Sequence, residues 1–190
     1  MKNFVATRHQ RGMAIFLGVD LLLFLGLFAS YLNLRSQAHQ WPGAFHFASG
    51  LVAFAITLFA LSGSFAMFYA VRYQVSAGYE IAMRLVVATI AVLGTVLILL
   101  GMEWVRLYFI SDVTFTANPW GVPAFSWSYY GLTGFYAVHV LALLIYLSVV
   151  AAKIKTSDAG SGALFVHFTN LVWLILLFGV YFASADLQGL

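Results

Sequence analysis

The sequence predicts an all-α polytopic membrane protein: one transmembrane domain over residues 1–190, built as a bundle of five transmembrane helices, with the N-terminus cytoplasmic and the C-terminus outside. Three observations lead there. Of the 190 residues, 63% are hydrophobic and only 8% charged, against about 25% charged in a soluble domain. Such a chain cannot cover a water-facing surface, so most of it must face lipid or protein. Five separate stretches are apolar for long enough to span a bilayer. The lysines and arginines of the short connections fall almost entirely on one side. With no cysteine, the chain cannot supply a disulfide, a thiolate zinc or copper site, or an iron–sulfur cluster.

A span needs about 20 apolar residues. The first runs from about Gly12 to Leu34. Its apolar run is too long for a signal peptide, Asp20 interrupts it and no small-x-small cleavage site follows, so it is expected to be retained. The second is expected over about Phe47 to Val71, and the third over about Leu85 to Phe109. The fourth is expected over about Tyr129 to Ala152 and the fifth over about Ala163 to Ala185. Each must satisfy its own backbone in lipid, which makes it a helix. Barrel strands would be about half as long and would alternate in polarity. The longest connection, about Ser111 to Ser128, carries the turn residues Pro119, Gly121 and Pro123. Ser157 to Gly162 reads as a flexible link, and the sequence shows no internal repeat.

Orientation follows from the positive charges. Lys2, Arg8, Arg11, Arg72, Arg84, Lys153 and Lys155 fall on one side; Arg35 and Arg106 fall on the other. The basic pI therefore reflects membrane sidedness, and no nucleic-acid partner is expected. Trp41, Trp104, Trp120 and Trp127 gather near the outer interface, where amphipathic rings settle.

The informative residues are the polar ones within spans, which usually face a bundle interior. They are Asp20, Glu103, His139 and His167, joined by Asn170. Counted from the inner span ends, Asp20 lies about 12 Å deep, His167 about 6 Å, Asn170 about 10 Å, His139 about 20 Å and Glu103 about 27 Å. Asp20, His167 and Asn170 are thus expected to form an inner layer, and Glu103 and His139 an outer one. Each layer has a structural reading, with side chains bonded across helices at about 0.6–2 kcal/mol apiece. It also has a functional reading, as part of a proton path. A bis-histidine haem is disfavoured, since His139 and His167 differ by about 14 Å in height and His9, His39 and His46 lie at or beyond the span ends. No phosphate loop, paired-histidine motif or hydrolytic triad is evident. Small residues at Gly26 and Ser30, Ser62 to Ser64, Gly94 and Gly101, and Gly131 and Gly134 would allow close helix approach.

Four segments together resemble subunit III of the haem–copper oxidases. Thr133-Gly134-Phe135-Tyr136-Ala137-Val138-His139-Val140 resembles the family's T-G-x-H-G-x-H-V motif. Val166-His167-Phe168-Thr169-Asn170-Leu171-Val172-Trp173 resembles its W-H-F-x-D-x-V-W motif. Asp20, with Phe28-Ala29-Ser30-Tyr31 after it, is similar to the family's membrane carboxylate followed by F-A-x-Y, and Gly101-Met102-Glu103-Trp104 to its second carboxylate. Tyr136 stands in place of the first motif histidine, Val166 in place of Trp, and Asn170 in place of Asp. The resemblance covers nearly the whole chain and is to the short, five-helix bacterial form.

The resemblance implies a subunit with no catalytic, cofactor-binding or metal-binding residues of its own, in a bacterial inner membrane. The haems and copper would sit in the catalytic subunit I, its partner among other oxidase subunits. This chain would support assembly, sustained turnover and proton uptake, with bound phospholipid expected and membrane lipids as partners. Asp20, Glu103, His139, His167, Asn170 and Trp173 would serve structural, lipid-contact or proton-related roles. Alternatives are subunit III of a quinol oxidase, an accessory protein of nitric oxide reductase and, from a different class, an autonomous small transporter.

Overall fold

A computed structural model describes residues 7–39, 41–43 and 48–182. Lys2, His46 and the span limits expected at Phe47 and Ala185 lie outside the described residues. There are five long helices: α1 Arg8–Gln37, α2 Gly50–Val75, α3 Tyr79–Phe109, α4 Pro123–Ala152 and α5 Ala159–Leu176, the last continuing through a π-helical turn, Leu177–Phe182. Each is long and apolar enough to cross a membrane.

Local signals set the helix ends. Thr7 caps α1 in a reciprocal box: its hydroxyl accepts from the Gln10 amide while the Gln10 side chain accepts from the Thr7 amide. This starts α1 at Arg8, a full turn before the apolar run. Pro123, with its fixed φ, opens α4 in the first turn. The outer connection is therefore shorter than the Ser111-to-Ser128 loop expected from hydropathy, and Phe125, Ser126 and Tyr129 are buried helical residues. Asn118 holds this connection, its amide donating to the Val122 carbonyl at 2.7 Å and to Ser126 Oγ at 2.9 Å.

α2, α3, α4 and α5 close into a ring in which each packs on two neighbours, and α1 lies outside it against α5 and α4. α5 is the most enclosed: 56% of its apolar window is buried, against 17% for α1. The outward faces carry Ile15, Leu22, Phe54, Ile98, Val138 and Ile145 to the lipid. The small-residue pattern is only partly used for approach. Gly63 faces Thr89 and Leu93 across α2 and α3, whereas Gly26, Gly94, Gly101 and Gly131 face open space. Gly179, which the pattern did not include, is where α1 comes closest: a Cβ there would lie 2.0 Å from the Phe28 ring.

The stretch Ser157 to Gly162, expected to be a flexible link, is instead a fixed joint. Asp158 caps α5, accepting from the Gly160 amide at 2.9 Å and Ser161 Oγ at 3.0 Å. It also accepts from Thr7 Oγ1 at 2.5 Å and Gln10 Nε2 at 3.2 Å, which ties the start of α1 to the start of α5. Gln74, at the end of α2, donates to the carbonyls of Ile154 and Ser157 and accepts from the Ala159 amide. One short segment thus joins three helices at the end of the bundle that carries Arg8, Arg11, Arg72, Arg84, Lys153 and Lys155. Composition alone suggested flexibility because Ser, Gly and Asp are also turn residues; here their hydrogen bonds all have partners.

Burial pushes the Asp158 carboxyl up, but the donors from Thr7, Ser161, Gln10 and Gly160 outweigh it and hold the group below its usual 3.8. A carboxyl lowered on folding adds stability that is complete above its unfolded pKa and is lost as the pH falls through the folded value. The joint is therefore expected to be indifferent to pH above about 5 and to open only below about 4. Asp158→Ala is expected to cost about 0.5–2 kcal/mol of stability in detergent at neutral pH, measured by thermal unfolding, with Asp158→Asn losing less. Equal stability of Asp158→Ala and wild type would show that the joint does not hold.

Candidate functional site

The buried residues of α1 are Leu17, Asp20, Phe24 and Tyr31. Their spacing places them on one stripe of the helix, so Asp20 occupies a core position facing the ring. Opposite it on α4 is His139. Its Nε2 lies 2.8 Å from Asp20 Oδ1, and its Nδ1 lies 2.8 Å from the Phe135 carbonyl one turn earlier. A carbonyl can only accept, so Nδ1 carries a proton. A second proton must then lie between Nε2 and Oδ1, either on the ring nitrogen or on the carboxyl. Both arrangements leave the pair neutral overall, and one short transfer interconverts them. That neutrality is what makes the pair tolerable between α1 and α4.

The surroundings are aromatic. The His139 ring lies 4.5 Å from that of Phe135 and 4.9 Å from that of Phe24, and Phe168 approaches Phe24 at 6.2 Å. The other carboxyl oxygen, Asp20 Oδ2, is buried with no hydrogen-bond partner among the described residues.

The remaining polar residues group differently from the two expected layers. Asp20 meets His139, not His167 or Asn170. Depth was counted from Gly12, but α1 starts at Arg8. From the helix ends, Asp20 is about 18 Å along α1 and His139 about 20 Å along α4, which makes them level. Asn170 and His167 instead face α2. Asn170 Nδ2 donates to the Ala60 carbonyl and to Ser64 Oγ, both at 2.6 Å, and His167 Nδ1 lies 3.1 Å from the same Ser64 oxygen. Trp173 Nε1, one turn farther, donates to Thr57 Oγ1 at 2.9 Å. The result is a polar seam, with Thr57, Ala60 and Ser64 on α2 facing Trp173, Asn170 and His167 on α5.

Glu103 does not approach His139. It forms a two-point ion pair with Arg106, at 2.7 and 3.1 Å, and accepts from the Ser49 amide at 2.7 Å. It therefore anchors the start of α2 to the outer end of α3. Near that end Tyr129 and Tyr181 share a hydroxyl contact at 3.0 Å, joining α4 to the π turn. Sequence reasoning passed over Thr57, Ser64 and Ser49. Thr57 and Ser64 are seven residues apart, which puts them on one helix face, and Ser49 precedes a helix as caps do. Among the described residues no three His, Asp or Glu side chains are placed to share a metal ion.

No family model matches the chain. Individual curated proteins do match it. It is 31% identical over 183 residues to a protein of a Synechocystis species, covering 90% of this chain and 73% of that one. It is 26% identical over 180 residues to one from a Bacillus species, covering 90% and 83%. It is 27% identical over 183 residues to one from Corynebacterium diphtheriae, covering 90% and 86%. All three bear the name cytochrome c oxidase subunit 3.

The shared proton predicts a graded response at position 20. Asp20→Leu is expected to weaken the docking of α1 by about 0.6–2 kcal/mol. Asp20→Asn, whose amide can still donate to Nε2, is expected to lose less. A double-mutant cycle of Asp20→Leu with His139→Leu, read by unfolding in detergent micelles, checks this. Additive losses would mean that the two residues do not act as a pair.

Proposed function

The chain belongs to the cytochrome c oxidase subunit 3 family and is a subunit III of a haem–copper oxidase, and from that premise we propose that it is a non-catalytic companion of the oxygen-reducing subunit I. It supports assembly, sustained turnover and proton uptake of a complex held in a bacterial inner membrane, while haem and copper reside in the partner. The relatives' names favour a complex fed by cytochrome c.

The observation that carries this reading is how the chain's ionisable groups are used. Asp20 is engaged with His139, Glu103 with Arg106, and His167 with Ser64. Each joins one part of the bundle to another, and the first is walled by phenylalanine rings. A set of contacts between helices suits a structural partner. A transporter would need polar groups in succession from one membrane face to the other, and the three contacts sit on different helix pairs. The Asp20–His139 pair bears on proton uptake as a place where one proton is held. Sustained turnover follows if that pair keeps α1 seated while the complex works.

Isolated in mild detergent, the chain is expected to bring haem absorbance with it, and to lose that absorbance when the complex is dissociated. A stable, colourless protein that moves a solute across liposomes would overturn the reading. Within the assembled complex, Asp20→Ala is expected to leave the initial rate of oxygen reduction near wild type and to shorten the number of turnovers before inactivation, as followed with an oxygen electrode. An initial rate of zero at full haem content would contradict the companion role.

The end bearing Arg8, Arg72, Arg84, Lys153 and Lys155 is assigned to the cytoplasm by the positive-inside rule. A periplasm-dependent phosphatase fused to the C-terminus is expected to be active, and one fused in the Lys153–Asp158 connection inactive. The reverse pattern would invert the bundle.

A further inference from the structure

Two grooves open on the lipid-facing side of the seam between α2 and α5, each about 340 Å³. The Phe68 ring stands between them and His167 lines both. The walls are apolar: Leu61, Phe65 and Tyr69 on one side, Val71, Ala163 and Leu164 on the other. A histidine on such a surface is unusual, because nothing in hydrocarbon satisfies it.

The interior seam fixes what that histidine presents. Asn170 donates to Ser64 Oγ, so the serine oxygen is already an acceptor. The Ser64 hydroxyl proton has no acceptor among the described hydrogen bonds other than His167 Nδ1, 3.1 Å away. Nδ1 therefore accepts, and the ring's own proton lies on Nε2. The grooves thus receive an N–H donor with no protein partner among the described residues.

Arg72 stands at the headgroup end of the first groove. Its guanidinium folds back over Phe68, 4.4 Å from the ring centre, and it has no carboxylate partner among the described residues. Asp158, linked to the same rim through Gln10, has its oxygens occupied by Thr7, Gln10, Ser161 and Gly160. Phe68 is one turn from Ser64, so the cation sits about 6 Å nearer the inner surface than His167.

We propose that this surface is a binding site for a single phospholipid, with the phosphate on Arg72, an ester carbonyl on His167 Nε2 and the acyl chains in the two grooves beside Phe68. A cation above, a neutral donor one turn below and two apolar channels below that match the order of groups in one lipid molecule. A partner helix would have to bring a carboxylate and a spare acceptor to the same face, one turn apart. The site lies wholly on this chain. The inference uses the oxidase reading only to choose the complex in which it is tested.

The test counts phospholipids retained by the purified complex, by native mass spectrometry, before and after addition of phosphatidylglycerol in detergent. Arg72→Gln and His167→Phe are each expected to retain one phospholipid fewer than wild type. Arg72→Lys, which keeps the charge, and Arg84→Gln, outside the grooves, are expected to retain the wild-type number. A photoreactive residue at Leu164 is expected to cross-link to lipid. Equal counts in all variants, or a cross-link from Leu164 to protein, would overturn the site. Neither outcome touches the oxidase reading, which stands or falls on the haem that accompanies the chain.

Discussion

Helices that are apolar on every side gain nothing by hiding from lipid, so each must be positioned by the few polar groups it can satisfy only on a neighbour. Here those groups are sparse and each has a distinct task. Asp20 and His139 seat α1 against α4. Asn170 and Trp173 set the register of α5 on α2. Glu103 reaches across from α3 to the amide that begins α2. Close packing then fills the space between. The Phe28 ring over Gly179, for instance, lets α1 follow the π turn at the end of α5. A bundle held this way depends on a handful of contacts, and losing one releases a particular helix rather than softening the whole.

The same constraint explains what could be read from the residues. Hydropathy reveals spans because lipid demands length and apolarity, and five stretches met both. Hydropathy does not say which helix sits beside which, since α2 and α5 look alike from every side. Nor does it give the level of a polar group unless the helix start is known. Asp20 was placed too shallow because counting began at Gly12. The Thr7-x-x-Gln10 capping box, itself a sequence signal, would have moved the start to Arg8 and brought Asp20 level with His139. Pro123 likewise marked a helix start that the hydropathy of the outer connection obscured.

The departures from the family motif are local chemistry rather than noise. Asn170 stands where the motif carries a carboxylate. Its amide nitrogen gives two hydrogen bonds, to a backbone carbonyl and to a hydroxyl, neither of which a carboxylate could supply. Tyr136 fills the position of the first motif histidine and turns its ring toward Trp173, 5.4 Å away. The two replacements lie on facing helices and leave the interior of the ring free of charge. The ionisable pair kept within the bundle is the one between α1 and α4, outside the ring.

An interior amide can therefore govern a surface property. Asn170 is buried and touches no lipid, yet by donating to Ser64 it directs the serine proton outward and fixes which nitrogen of His167 is protonated. Were residue 170 a carboxylate, it would compete with His167 for the Ser64 proton, and the imidazole would be free to turn an acceptor to the membrane. Lipid ester groups offer only acceptors, so they bind one of these tautomers and not the other. In this chain, the choice of amide over acid at position 170 is thus linked, through one hydroxyl, to what the bundle can hold on its outer face.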